Sequence, residues 1–319
     1  VIREKDGIHF KREKHVVADA RSTTGDINIV SHAHMDHGFQ DSGEVVCSGR
    51  TAKILSRRTG KEVKPSQDPD VELIPSGHIV GSRSALFGEE ERILYTGDVS
   101  LQDRVYMDGF EPVEADVLVV ESTYGIPAYR LPDMEEVEKQ ITDWIHDTSS
   151  QPFLFGYSLG KAQKVQKIVE DATEKPILAH GAVKKMNDVV EEVTGLEFRA
   201  KPYSENKELL EEGAIFIGPT RTAKEDWLNE KVEKLGGVKA GFSGWGVQDS
   251  YRYRGGYDQV FPLSDHCGFD DLVKLVKQVD PEKVYTHHGF DEAFASHLKN
   301  EHGYNARSLK KNQSSLADF

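Results

Sequence analysis

At 319 residues the chain has the length of one large domain or two ordinary ones, and 37% hydrophobic residues suffice for a core. A formal net charge of −14 argues against a wholly basic nucleic-acid binder, while leaving room for a local basic groove or a metal-centred phosphate site. No stretch approaches the roughly 20 apolar residues of a membrane helix, and the N-terminus has no signal-peptide pattern. The only cysteines, Cys47 and Cys267, point to a reducing, cytoplasmic setting and exclude a cysteine-rich zinc site.

Residues 1–125 are rich in strand patterns. Positions 8–10 and 16–18 read as hairpin strands, with Asp19 where the second ends. An apolar strand carrying Ile27, Ile29 and Val30 then runs into His32, His34, Asp36 and His37. On an extended backbone His32 and His34 point to the same side, so two imidazoles can share one ion. Asp36 and His37 lie past the strand end, where a turn can swing an oxygen and a nitrogen toward a second ion. Four candidate ligands in H-x-H-x-D-H order read as a two-metal site rather than a chance gathering or a satisfied buried polar patch. A strand at 44–47, a helix at 51–58 and strands at 71–74, 84–87 and 93–95 follow, and the apolar run 117–120 reads as a buried strand. His78 and Asp98 stand at turns, each directly after a glycine. Alone, such residues cap local backbone. In this order after H-x-H-x-D-H they read as ligands, with His78 completing the first imidazole set and Asp98 bridging both ions.

Past Glu121-Ser122-Thr123-Tyr124-Gly125 the pattern changes. Asp133 is a candidate N-cap for a helix at 134–146. Strands at 153–155, 177–179, 214–217 and 238–242 then alternate with helices at 161–171, 183–193 and 223–235, which implies a parallel sheet covered by helices. This module, 126–256, is expected as an α/β insertion between residues 1–125 and 257–319. Ser158, Gly160 and Lys161 join its first strand to a helix, and the exposed amides of a helix start beside a lysine suit a phosphate. A plain strand-helix turn fits the local sequence equally well. His180 ends the next strand on the same expected edge, which favours a substrate role. Trp144 and Trp227 read as core. In the last segment a strand at 259–263 ends in Ser264-Asp265-His266, a helix covers 269–279, and a strand at 284–286 ends in His287-His288-Gly289. A short helix at 291–299 and a strand at 306–309 close the chain.

The motif order resembles the metallo-β-lactamase fold, and Glu-Ser-Thr-Tyr-Gly, Ser-Asp-His and His-His-Gly look like the β-CASP nucleases of that fold. Residues 126–130, 159–163 and 180–183 are similar to the compact branch of ligase-associated DNA exonucleases and mRNA 3′-end-processing-factor-like exonucleases. The resemblance implies an αββα hydrolase domain interrupted by an α/β cap. It implies a first zinc on His32, His34, His78 and Asp98, and a second on Asp36, His37, Asp98 and His288, with manganese an alternative and His287 the alternative last ligand. It further implies Glu121 and His266 as an acid pair, Asp36 and Asp98 as catalytic carboxylates, Ser264 among the substrate contacts, and Asp19 steadying a ligand loop from behind. The expected reaction is phosphodiester hydrolysis in single-stranded RNA or DNA, in RNA processing or DNA repair, with a DNA ligase or RNA-processing proteins as candidate partners. A small-molecule metallohydrolase would share the H-x-H-x-D-H core without needing Glu121, His266 or the insertion. A catalytically silent nucleic-acid-binding scaffold would have lost ligands. RNA against DNA, polarity and oligomeric state are not legible.

Overall fold

The computed structural model describes residues 1–35 and 38–309. These form two compact units: residues 1–101, 109–128 and the segment from 269 onward, and residues 102–108 with 129–268.

The first unit is built on two six-stranded sheets. One runs β1 (Ile2–Glu4), β2 (Ile8–Lys11), β3 (His15–Ala18), β4 (Ile27–Ile29), β5 (Gly43–Val46), β6 (Val63–Ser66). Its first three strands are antiparallel and the rest parallel. The other has the order β18-β17-β10-β9-β8-β7, from β7 (Val71–Pro75), β8 (Arg83–Phe87), β9 (Ile93–Tyr95), β10 (Val117–Glu121), β17 (Lys283–His287) and β18 (Ala306–Ser308). Alternation decides the facing: in β2, Ile8 and Phe10 are buried while Lys11 is exposed. Phe10, Val16, Ile27 and Ile29 meet Ala85, Phe87, Ile93 and Val119 in a shared core, with Phe10 edge-on to Phe87 at 5.0 Å. Strand β10 lies between parallel neighbours and is buried along its whole length, as the apolar run Val117–Val120 requires, and it carries the buried Glu121 at its end. Helix α1 (Gly49–Thr59) begins at Ser48, whose side chain accepts from the Thr51 amide, and ends at the left-handed Gly60. It packs on β6. Helix α8 (Phe269–Val279) meets α9 (Asp291–His302) through Phe269 and Phe294, and α9 packs on β17 and β18. Strands β1 and β6 have no counterpart in the sequence expectations; β6 carries Pro65, tolerated because it is an edge strand.

The second unit holds one all-parallel sheet, ordered β13-β12-β14-β11-β15-β16. The strands are β11 (Gln151–Gly156), β12 (Ile177–Ala179), β13 (Lys201–Pro202), β14 (Ile215–Pro219), β15 (Gly237–Phe242) and β16 (Gln259–Phe261). Along β11, Phe153 and Phe155 face one cluster and Leu154 the other, so each sheet face has its own core. Helices α2 (Met134–Asp147), α3 (Lys161–Ala172) and α4 (Gly181–Thr194) cover the Leu154 face; α5 (Lys207–Glu211) and α6 (Asp226–Lys234) contribute to the other. Helix α7 (Asp249–Gly255) was not legible in the sequence. The expected boundary at 256 falls short: β16 pairs parallel with β15, so the unit runs to 268 and takes in 102–108 as well. The expected helix over 223–235 breaks at Glu225, between a 3-10 turn (Thr220–Lys224) and α6. No described helix is long and apolar enough to cross a membrane.

Candidate metal centre and the strand-end turns

In the first unit, His32 and His34 follow β4, while His78 and Asp98 stand in turns after β7 and β9. One ligand atom from each lies within 4.8 Å of all the others. The three imidazoles stand mutually edge-on, with ring centroids 4.9–5.1 Å apart. His78 Nε2 is 3.0 Å from His34 Nδ1, and Asp98 Oδ2 is 3.4 Å from His78 Nε2 and 3.3 Å from His32 Nε2. Two glycines make this convergence possible. Gly77 is left-handed, with φ +71, and a Cβ there would sit 2.4 Å from the Ser100 carbonyl oxygen. Gly97, at φ +54, would drive a Cβ to 2.6 Å from the Ser31 side chain.

The tautomer of His32 follows from its neighbours. Asp19 Oδ2 accepts from Ser31 Oγ at 2.6 Å and from Tyr95 Oη at 2.7 Å, and Asp19 Oδ1 accepts from the Ser31 amide. With its proton committed to Asp19, Ser31 Oγ accepts from His32 Nδ1 at 2.8 Å. His32 Nε2 is then a lone pair facing the Asp98 carboxylate, an arrangement that calls for a cation between them. Three nitrogens and one oxygen in this geometry fit a divalent transition metal, zinc in particular.

Glu121, at the end of β10, is fully buried. Its carboxylate accepts from the Val99 amide at 3.0 Å and from the Thr123 hydroxyl, and lies within 4.8 Å of the Asp98 ligand oxygen. Ser122 Oγ donates to the carbonyls of both His287 and His288, clamping the end of β17. The His287 ring stacks with Tyr95 at 5.6 Å, whereas His288 is exposed and has φ +62. Asp36 and His37 lie outside the described residues. Ser31 and Tyr95 are supporting side chains that motif reading passed over, since neither has a spacing signal of its own, while Ser122 and Thr123 stand inside the Glu-Ser-Thr-Tyr-Gly motif and were given no role of their own.

In the second unit the turn after β11 departs from its expected role. The Gly160 amide donates to Gln163 Oε1 and the Ala162 amide to the Tyr157 carbonyl, so the groups that open α3 cap the helix itself. The Ser158 carbonyl accepts from Gln163 Nε2. Lys161 is buried, donating to the Leu263 carbonyl and pairing with Asp265 at 3.0 Å. A lysine turned into the protein is no phosphate ligand, and the expectation for Gly160 and Lys161 is corrected accordingly. His180 caps α4, its Nδ1 accepting from the Ala182 amide, and burial lowers its pKa. Ser264 is buried; its hydroxyl accepts from the His266 amide and donates to the His266 carbonyl, which makes it a turn fastener rather than a substrate contact. His266 alone is part-exposed between buried Leu263 and Phe269.

Facing sheets flanked by helices, with a His/Asp cluster at strand ends, define the metallo-β-lactamase fold. A crystal structure of a protein of unknown function from Enterococcus faecalis V583 superposes with a TM-score of 0.55 at 17% identity, covering 84% of this chain and 76% of that one. Residues 259–309 match the "Zn-dependent metallo-hydrolase RNA specificity domain". A "Probable DNA ligase" of Opitutus terrae is 33% identical over 299 residues, 88% of this chain. "Probable RNase MJ4" of Methanocaldococcus jannaschii is 27% identical over 301 residues, 76% of this chain. The chain spans 28% of the ligase and 68% of the RNase. In fold and in these sequence matches the chain is similar to β-CASP proteins of the metallo-β-lactamase fold.

Proposed function

We propose that the chain is a metal-dependent nuclease that hydrolyses phosphodiester bonds in single-stranded RNA or DNA. The observation that carries this reading is the convergence of His32, His34, His78 and Asp98 beside the buried carboxylate of Glu121. His32, His34, His78 and Asp98 would hold one divalent ion, and Asp36, His37, Asp98 and His288 a second, with zinc the best match to the donors. Bound cations would supply Lewis-acid polarisation of the phosphodiester and acidify water.

The chain's own groups do the rest. Asp19, through Ser31, holds the proton on His32 Nδ1 and so keeps Nε2 a donor of electrons. Glu121 fixes the Asp98 turn through the neighbouring Val99 amide. His266 supplies the proton to the departing oxygen, a role supported by its place in the Ser-Asp-His motif and its exposure from an otherwise buried turn. The names of the relatives support both nucleic acids and, for the ligase relative, a function beside strand joining in DNA repair.

The deciding experiment presents 5′- and 3′-end-labelled single-stranded RNA and DNA of one sequence to zinc- or manganese-loaded protein. A ladder shortening from one end, lost on chelation and in Asp98→Ala, is expected for an exonuclease. Intact oligonucleotides alongside turnover of a thioester or lactone would replace this reading with small-molecule hydrolysis.

A further inference from the structure

The proposed cleavage uses His266 and leaves its buried neighbour Asp265 unassigned. Two lysines meet the carboxylate of Asp265, and a buried arginine lies within its electrostatic reach, all within the second unit. Lys161 Nζ lies 3.0 Å from Oδ2 and also donates to the Leu263 carbonyl; Lys164 Nζ lies 2.5 Å from Oδ1. The Arg104 guanidinium adds a third positive charge felt by the carboxylate. Relative exposures are 2% for Arg104, 2% for Lys161, 0% for Lys164 and 5% for Asp265. Burial alone would push the Asp265 carboxyl up, but Lys161, Lys164 and Arg104 hold it well below the usual carboxylate range. Burial, then Arg104, pushes the Lys164 ammonium down.

Three cations on one carboxylate is a costly way to fill a core, since apolar side chains of similar volume commonly serve stability as well or better. The cluster does something apolar packing cannot. Lys161 grips the turn at the Leu263 carbonyl and at Asp265, while Ser264 ties the His266 backbone at both its amide and its carbonyl. Lys161 and Lys164, both on α3, take one oxygen each of the same carboxylate, so the turn is held at two points. We propose that Asp265, held by Lys161 and Lys164, is a positioning residue that fixes the His266 imidazole for proton transfer. This rests on the role given to His266 above.

The test uses the full-length, metal-loaded protein and three variants: Lys164→Met, Lys164→Arg, and Asp265→Asn combined with Lys164→Met, which avoids leaving every cation facing a neutral amide. Histidine labelled with 15N, with the His266 signal assigned by loss in His266→Gln, reports the ring independently of turnover. The wild type should show one well-defined His266 tautomer. Lys164→Met and the double variant should shift or broaden that signal, while the signals of His32, His34 and His78 and the metal content stay as in wild type. On labelled oligonucleotide, Lys164→Met should lower kcat about 10- to 100-fold with KM nearly unchanged, as expected when a reacting group is displaced by about 1 Å. Lys164→Arg should recover most of the loss. An unchanged His266 signal in both Lys164→Met and the double variant overturns the proposal, as does a kcat loss fully explained by unfolding or metal loss. If His266→Gln cleaves like wild type, the reading of His266 fails, and the ring signal still decides whether Asp265 positions it.

Discussion

Asp19 reaches the His32 imidazole through a single hydroxyl: Ser31 Oγ donates to Asp19 at 2.6 Å and accepts from His32 Nδ1 at 2.8 Å. The relay fixes which ring nitrogen carries the proton, and removing a group that holds a ligating imidazole from behind commonly alters metal affinity about 10- to 100-fold. Ser31→Ala should therefore weaken zinc binding by that order while leaving the fold intact, read by competition with a chromophoric chelator. Unchanged affinity would mean that the His32 tautomer is set by something other than this hydroxyl.

Metal removal should loosen the first unit. The candidate ligand nitrogens and Asp98 are packed within 4.8 Å, close enough for one divalent cation to bridge them. A ligand at about 100 times its dissociation constant stabilises the folded state by about 2.7 kcal/mol. Chelation should lower the unfolding midpoint, zinc should restore it, and His34→Ala should abolish the zinc response. A midpoint indifferent to chelator in the wild type would argue that the cluster binds no structural cation.

Lys161→Ala should destabilise the protein by about 3–5 kcal/mol, the usual cost of breaking a buried ion pair from one side. Because Lys161 holds Leu263 and Asp265 rather than substrate, oligonucleotide cleavage should fall in kcat with KM nearly unchanged. A raised KM with stability unchanged would return the lysine to a phosphate-binding role.

That lysine also marks where sequence reading stops. The turn Gly156-Tyr157-Ser158-Leu159-Gly160-Lys161 looks locally like a phosphate cradle, and nothing nearby reveals that the ammonium is committed to a carbonyl 102 residues on. Lys164, at three residues' spacing on the same helix, was the one available hint of a paired face. The convergence of the His/Asp cluster was legible because its members are motif residues and the glycines before His78 and Asp98 advertise their turns. Short strands such as β9 and β12 were legible because apolar runs end at turn residues. The cap boundary was not: whether Gln259–Phe261 joins one sheet or another is decided by pairing with β15, a long-range choice that leaves no local trace.

The pH dependence of stability offers a test in which one buried thiol can be isolated. Burial pushes Cys47 from an ordinary value near 9 up to about 12, against a weak opposing bond from Ala52. Below about pH 9 the thiol is protonated in both folded and unfolded chains, so its contribution is fully present. Between pH 9 and 12 the unfolded chain releases the proton and the folded chain keeps it, so folding stability falls as pH rises. The buried phenols of Tyr95 and Tyr106 are also pushed up by burial and act in the same direction, whereas Lys161 and Lys164 are pushed down by burial and act in the opposite one. A raw curve mixes these signs, but the difference between wild type and Cys47→Ala removes the shared groups. In denaturant titrations that difference should be level up to about pH 9, then shift against the wild type by about 1.4 kcal/mol per pH unit toward pH 12. A flat difference across this range would show that the Cys47 thiol ionises in the folded protein as readily as in water.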